Sequence, residues 1–312
     1  MLNSYGKTEI SEYLSKINKS LEKREQISQS DILELHDKSH ILYMVDRINK
    51  ENKGVNIKVV NDVSQFPVYI ENMIDNKENS ARFIVFVNNR VCFLSHAVVF
   101  DCYHFKNRGI SILGIESGNS RLSDFPLEMA KRCEKLNFNN VHNKVSLHIL
   151  STRQQNSGTE CMIYSLALAK MLFKEREKLL SLHEKNLNDD FEVEETLKSV
   201  VKQSDTDKYL LPSLMKHCQS TRRVKEYLST ELDRGIFGNL NKNTYKVNKL
   251  NETLLRRHER TLTSESIPVK LNIPGKNEFI ESNVIRRGIT YNNSIFLKRK
   301  RDIEKLLGIY KK

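Results

Sequence analysis

Hydrophobic and polar positions divide the chain into a polar leader, a strand-rich segment, one long helix and a basic end. Over residues 1–30, Ser, Asn, Lys and Glu are mixed. Ile10, Tyr13, Leu14 and Ile17 have helical spacing but form no broad core face, which predicts a loosely ordered leader with some helix. Residues 31–52 carry Ile32, Leu33, Leu35, Ile41, Leu42, Met44, Val45 and Ile48 at helical spacing. Asn56–Val60 reads as a strand. Arg82–Val87 (RFIVFV) is a near-continuous apolar run, as expected of a strand buried on both faces. A tight turn at Asn88-Asn89-Arg90 and a second apolar run, Val91–Phe100, predict a hairpin. Gly109–Ile115 is a third strand, ending at Glu116 with Ser-Gly-Asn-Ser beyond it.

Pro126–Leu136 is predicted helical with Pro near its first turn, and Lys144–Leu150 is another strand. The polar loop Ser151–Glu160 then leads into a helix over Cys161–Leu182. Its first three turns are apolar on nearly all sides, so that end belongs inside the domain. Residues 186–208 are acidic and polar, a loop with a helical piece. Tyr209–Ser229 is again ordered, and the Asn- and Lys-rich stretch 238–250 reads as loop. From about 283, RR and KRKR clusters surround short apolar runs. No internal repeat or heptad pattern appears.

Composition narrows the class. The chain has 312 residues, 38% of them hydrophobic, with 24 Phe and Tyr and no Trp. That supports a buried core and excludes disorder throughout. No run of 18 apolar residues occurs, so no transmembrane span is expected. The first residues have no apolar stretch before a small-residue site, which argues against cleavable Sec export. Five cysteines, at 92, 102, 133, 161 and 218, form no CxxC pair; a disulfide scaffold or cysteine zinc site is not expected, and a reducing compartment is. The net charge is +12, and it is uneven. Residues 221–312 hold 21 Lys and Arg against 10 Asp and Glu, whereas the preceding 220 are nearly balanced. An anionic partner for the last third, or a solvated basic surface, would explain this.

One constellation points to chemistry. His96 lies within a predicted strand, Glu116 ends the next, and Cys161 opens the buried helix. A thiol at a helix N-terminus feels the positive end of the dipole, which favours thiolate. An imidazole takes the proton, and a carboxylate fixes the imidazole's tautomer. Gln155 in the preceding loop is placed to donate to an oxyanion together with the backbone N–H of Cys161. Taken singly, each residue also fits a structural role: a strand histidine, a solvated glutamate, an inert core cysteine.

The segment QQNSGTECMIYSLALAKMLFKEREKLLSLHEKN resembles the nucleophile segment of the YopJ family of bacterial type III effector acetyltransferases. So do SARFIVFVNNRVCFLSHAVVFDCY around His96, GISILGIESGNS around Glu116, and YLLPSLMKHCQSTRRVKEYLST downstream. The likeness runs from about residue 31 to about 235, with the motifs in order; the leader and the last 70 or so residues match weakly. The resemblance implies an α+β fold of the ubiquitin-like-protein cysteine protease type, with a mixed sheet, a buried nucleophile helix and a basic regulatory lobe. It implies His96 as general base, Glu116 as orienting acid, Cys161 as nucleophile and Gln155 as oxyanion donor. Acetyl-CoA is then the acetyl donor, inositol hexakisphosphate the activator, and host proteins, signalling kinases among them, the acceptors. Lys216 matches the lysine that family members autoacetylate. His217, Gln219 and Ser220 fall in the same motif, near where cofactor and activator bind, and Arg222, Arg223 and Lys225 are candidate phosphate contacts.

The expected organisation is a leader over 1–30 with a type III secretion signal, a catalytic core over 31–185, a regulatory and cofactor-binding region over 186–260 and a basic extension over 261–312. Delivery would be into the host cytoplasm. Two rival functions share these residues: a cysteine protease of ubiquitin-like conjugates, and a non-enzymatic effector that binds host proteins. The KRKR run at 298–301 reads as an exposed or phosphate-facing surface rather than a nucleic-acid site, since no aromatic interleaving accompanies it. No metal is expected, because the histidines show no ligand spacing such as HExxH.

Overall fold

The computed structural model describes residues 4–22, 31–88, 95–118, 125–139, 141, 144–155, 160–272 and 279–310. Its centre is a five-stranded mixed sheet: β1 (Ile57–Val60), β2 (Ser80–Asn88), β3 (Ser95–Phe105), β4 (Gly109–Glu116) and β5 (Val145–Ser151), in that spatial order. β1 pairs parallel to β2, β2 and β3 pair antiparallel, as do β3 and β4, and β5 lies parallel to β4. The predicted hairpin is present, with Val87 opposite His96. Its turn at Asn89-Arg90 and the start of the second run lie outside the described residues.

Both faces of the sheet are covered, which is why β2 carries no polar alternation. Phe83, Val85 and Val87 point to one core, shared with Phe66, Ile70 and Met73 of α3 (Phe66–Asp75) and with Met129 and Cys133 of α4 (Phe125–Cys133). Ile84 and Phe86 point to the other, against α5 (Cys161–Leu187). All residues from Cys161 to Ala169 are buried, as the run of apolar turns predicts. Four short helices follow: α6 (Gln203–Thr206), α7 (Thr221–Leu228), α8 (Arg234–Phe237) and α9 (Leu254–Arg260). An antiparallel ribbon, β6 (Leu262–Asn272) with β7 (Phe279–Asn292), leads to α10 (Ser294–Leu307).

Two regions depart from the sequence reading. Residues Ser4–Glu22 form a regular helix, α1, whose Ile10, Tyr13 and Ile17 are fully buried and Leu14 nearly so. The stripe is narrow, and it packs with α10 from the other end of the chain and with α2 (Asp31–Glu51), so the leader is held in the core rather than loosely ordered. The KRKR run is the second. It lies in α10, and Arg299 within it is 0% exposed. Arg299 is thus not a surface cation; its charge is met inside by Asp37, with Nη2 2.7 Å from Oδ2. No described helix is long and apolar enough to cross a membrane.

Candidate active site

β4 and β5 run parallel, so their C-terminal ends lie at one edge of the sheet, with Glu116 opposite Ser151. β3 reaches the same edge at its N-terminal end, which places His96 there. The chain leaves β5 through Thr152–Gln155 and enters α5 at Cys161. Three separate segments therefore deliver His96, Glu116 and Cys161 to one point.

His96 Nε2 and Glu116 Oε2 are 2.7 Å apart, both side chains buried. The Cys161 side chain hydrogen-bonds the same imidazole. Burial on its own would lower the histidine pKa. The Glu116 carboxylate first, and the bonds to Cys161 and Glu116 after it, override that and push it up to about 10. The imidazole therefore holds its proton at neutral pH. The other described cysteines are ordinary buried thiols: burial pushes Cys133 and Cys218 up to about 12 and raises Cys102 well above its usual value.

Gln155 joins this edge. Its backbone N–H donates to Ser117 O at 2.9 Å, and its Oε1 accepts from Ser117 Oγ at 3.0 Å, which fixes the amide with its donor end distinct from its acceptor end. Thr152 donates twice to Glu116 O, from backbone and side chain, tying the 152–155 loop to the acid.

Several supporting residues escaped the sequence reading. Ser117 orients Gln155. Gly118 N–H donates to Glu116 Oε1 at 2.5 Å. Ser165, one turn into α5, donates to Ala97 O at 3.0 Å and pins the helix beside His96. Only the local hydroxyl and glycine composition around the motifs could have signalled them.

The regulatory motif divides. Lys216 and His217 line a cavity of about 240 Å³ with strongly basic walls. Lys170 and Lys174 of α5 face it, as do Arg257 and Arg260 of α9. Lys298, Arg301 and Lys305 come from α10, and Asp302 is the one acid among the described residues that line it. Burial, and then the surrounding cations, push Lys216 well below the ordinary lysine pKa; Lys170 is lowered to about 8 in the same way. Lys216 Nζ contacts Met171 Sδ at 3.9 Å. Met171 is ten residues along α5 from Cys161, about 15 Å by helix rise, so Lys216 and Cys161 are not brought together.

Gln219 instead donates to Glu160, and Ser220 caps α7. The three candidate phosphate contacts are not in the cavity wall. Arg222 and Lys225 are exposed, with Arg222 paired to Glu226. Arg223 is buried: its guanidinium grips Asp207 with two nitrogens and donates from Nε to Thr152 O at 2.9 Å. Its charge is thus met by Asp207, and it braces the 152–155 loop rather than the cavity wall. Among the described residues, no three His, Cys, Asp or Glu side chains converge to hold a metal ion.

Comparisons with known proteins agree with one another. The family profile described as YopJ Serine/Threonine acetyltransferase matches residues 10–305. The serine/threonine-protein acetyltransferase YopJ of Yersinia pestis is 30% identical over 221 residues, covering 69% of each chain, and its Yersinia pseudotuberculosis counterpart gives the same values. Among solved structures, AvrA delL154 with IP6 and CoA superposes with a TM-score of 0.77 at 23% identity, over 98% of this chain and 99% of that one. HopZ1a in complex with IP6 and CoA gives 0.66 at 15% identity, over 97% and 96%. These likenesses establish the expected fold.

Proposed function

The chain belongs to the YopJ serine/threonine acetyltransferase family, and on that premise we propose that it transfers acetyl from acetyl-CoA to host proteins through an acetyl-Cys161 intermediate. One observation carries the assignment of roles: a buried imidazole, protonated up to about pH 10, lies between Glu116 and the first residue of a buried helix.

The steps follow from that geometry. The Cys161 sulfur attacks the thioester carbonyl, and a tetrahedral oxyanion forms against the Gln155 amide and the Cys161 N–H. The carbon–sulfur bond to CoA breaks, and CoA leaves as the thiol with the proton from His96. An acceptor hydroxyl or amine then attacks the acetyl-cysteine. His96 takes its proton, and Cys161 departs as thiolate. Glu116 holds the imidazole in one tautomer throughout.

The basic cavity suits inositol hexakisphosphate, the IP6 named with both AvrA and HopZ1a. Eight basic side chains surround about 240 Å³ with one carboxylate among them, and such a wall favours a compact polyanion. Lys170, Lys174, Arg257, Lys298, Arg301 and Lys305 are the residues to hold it. Lys216 lines the same wall, where burial and the neighbouring cations lower its pKa and so raise its share of neutral amine, the form that accepts an acyl group. The acceptors are host proteins, signalling kinases among them, reached by type III delivery into the host cell.

Incubation with labelled acetyl-CoA and inositol hexakisphosphate, beside a ubiquitin-like conjugate, tests this reading. Label on Cys161 and on an acceptor protein, with the conjugate intact, is expected. Cleavage of the conjugate without any label would assign the site to proteolysis.

A further inference from the structure

Glu160 stands directly before the nucleophile, at the N-cap position of α5, yet its side chain makes no capping bond. The carboxylate faces away from the helix. Oε2 accepts the Gln219 amide, and Oε1 lies 3.8 Å from Nη1 of Arg299. Arg299 is itself anchored. Its Nε and Nη2 are 3.0 and 2.7 Å from Oδ2 of Asp37, and Tyr13 donates to the same carboxylate. A guanidinium this deeply buried costs several kcal/mol unless it is closely matched. A continuous polar chain thus runs from α1 through α2 and α10 to the residue that precedes Cys161.

Arg299 also has neighbours with another task. Lys298, Arg301 and Lys305 of the same helix line the basic cavity. One side of α10 therefore faces the polyphosphate pocket, while Arg299 reaches the start of the nucleophile helix. The facing cations repel one another, which opposes close seating of α10; a polyanion between them reverses the sign. A helix moves as a unit, so its seating and the position of Arg299 change together.

We propose that Arg299 is a positioning residue. Held by Asp37, it fixes Glu160 and the first turn of α5, and it carries the seating of α10 by a bound polyphosphate to Cys161. This rests on the polyphosphate reading of the cavity. A displacement of about 1 Å at a reacting group costs on the order of 100-fold in rate, so modest reseating suffices.

The test uses the full chain with Arg299→Lys and, separately, Glu160→Gln. The second leaves the Asp37–Arg299 pair intact and so keeps the test open if the first does not fold. Two quantities are measured: the thermal shift given by inositol hexakisphosphate, and the rate of acetyl loading on Cys161 across acetyl-CoA concentrations, with and without the polyphosphate. Both variants are expected to keep the wild-type thermal shift and to lose roughly tenfold or more of the acceleration. The loss should fall on the maximal rate, not on the acetyl-CoA concentration at half-maximum. Unchanged acceleration with the shift retained would make Arg299 merely structural and overturn the proposal. Absence of a thermal shift in the wild-type protein would instead remove the pocket reading, and the coupling with it.

Discussion

Glu116 divides its carboxylate between two partners: Oε1 accepts the Gly118 N–H at 2.5 Å, and Oε2 meets His96 Nε2 at 2.7 Å. A Cβ at position 118 would lie 3.0 Å from Oε1 and from Pro126 Cγ, and 3.4 Å from His96 Cε1. Gly118→Ala therefore presses on both members of the pair. Acetyl loading of Cys161 should slow about tenfold, equivalent to ~1.4 kcal/mol of barrier. Quenched-flow mass measurement reads this directly, and an unchanged rate would show that the loop absorbs the methyl group.

The pH dependence follows from His96. Its folded pKa of about 10 lies above the ordinary value near 6.5. The stabilisation it contributes is complete below about pH 6.5 and declines as pH rises, vanishing above about 10, because in that window the folded protein holds a proton the unfolded chain has released. Glu116→Gln removes the strongest influence raising that pKa. Between pH 7 and 10 the wild-type melting temperature should lose more than the variant's. The alkaline limb of acetyl loading should also move down by about one unit or more in the variant. Parallel melting curves would contradict this.

Arg222 and Arg223 are adjacent and opposite in character. Arg223→Ala leaves Asp207 buried without its partner, and should cost about 3–5 kcal/mol of stability. Arg222→Ala removes an exposed pair with Glu226 and should change stability by less than about 1 kcal/mol. Denaturant unfolding of the two variants checks both. Equal effects would mean that the buried pair is not formed.

His96, Glu116 and Cys161 were legible in the chain because each sits at the end of an element whose apolar pattern is strong and local, so their order maps onto one sheet edge. The place of Gln155 in the loop before α5 was legible by its distance from the helix start. Arg299 was not, since a cation inside KRKR carries no mark of burial; Asp37, which neutralises it, is 262 residues away. The stripe of α1 looked weak for the same reason, its partner α10 lying at the far end of the sequence. Arg223 looked like a phosphate ligand because charge is visible in a sequence and an Asp207 partner is not. The basic excess of the last third was visible, but which of its cations face one cavity depends on how α5, α9 and α10 meet.

The proposed polyphosphate site has its own test in exposed residues of the cavity wall. Lys174→Glu with Arg301→Glu places two carboxylates where phosphates would lie. Wild-type protein should gain about 2.7 kcal/mol at a hundredfold excess of inositol hexakisphosphate over its dissociation constant, and the double variant most of this should lose. Raising the salt should weaken the wild-type gain, as screening requires. An undiminished thermal shift in the double variant would place the polyanion elsewhere.

Intact-mass analysis of the protein mixed with acetyl-CoA, with and without inositol hexakisphosphate, tests the central chemistry most directly. One acetyl group should appear on the Cys161 peptide, faster with the polyphosphate, labile to added thiol and absent from Cys161→Ala. Acetylation of protein acceptors that proceeds unchanged in Cys161→Ala, or wild-type protein that never carries acetyl on this cysteine, would contradict the account.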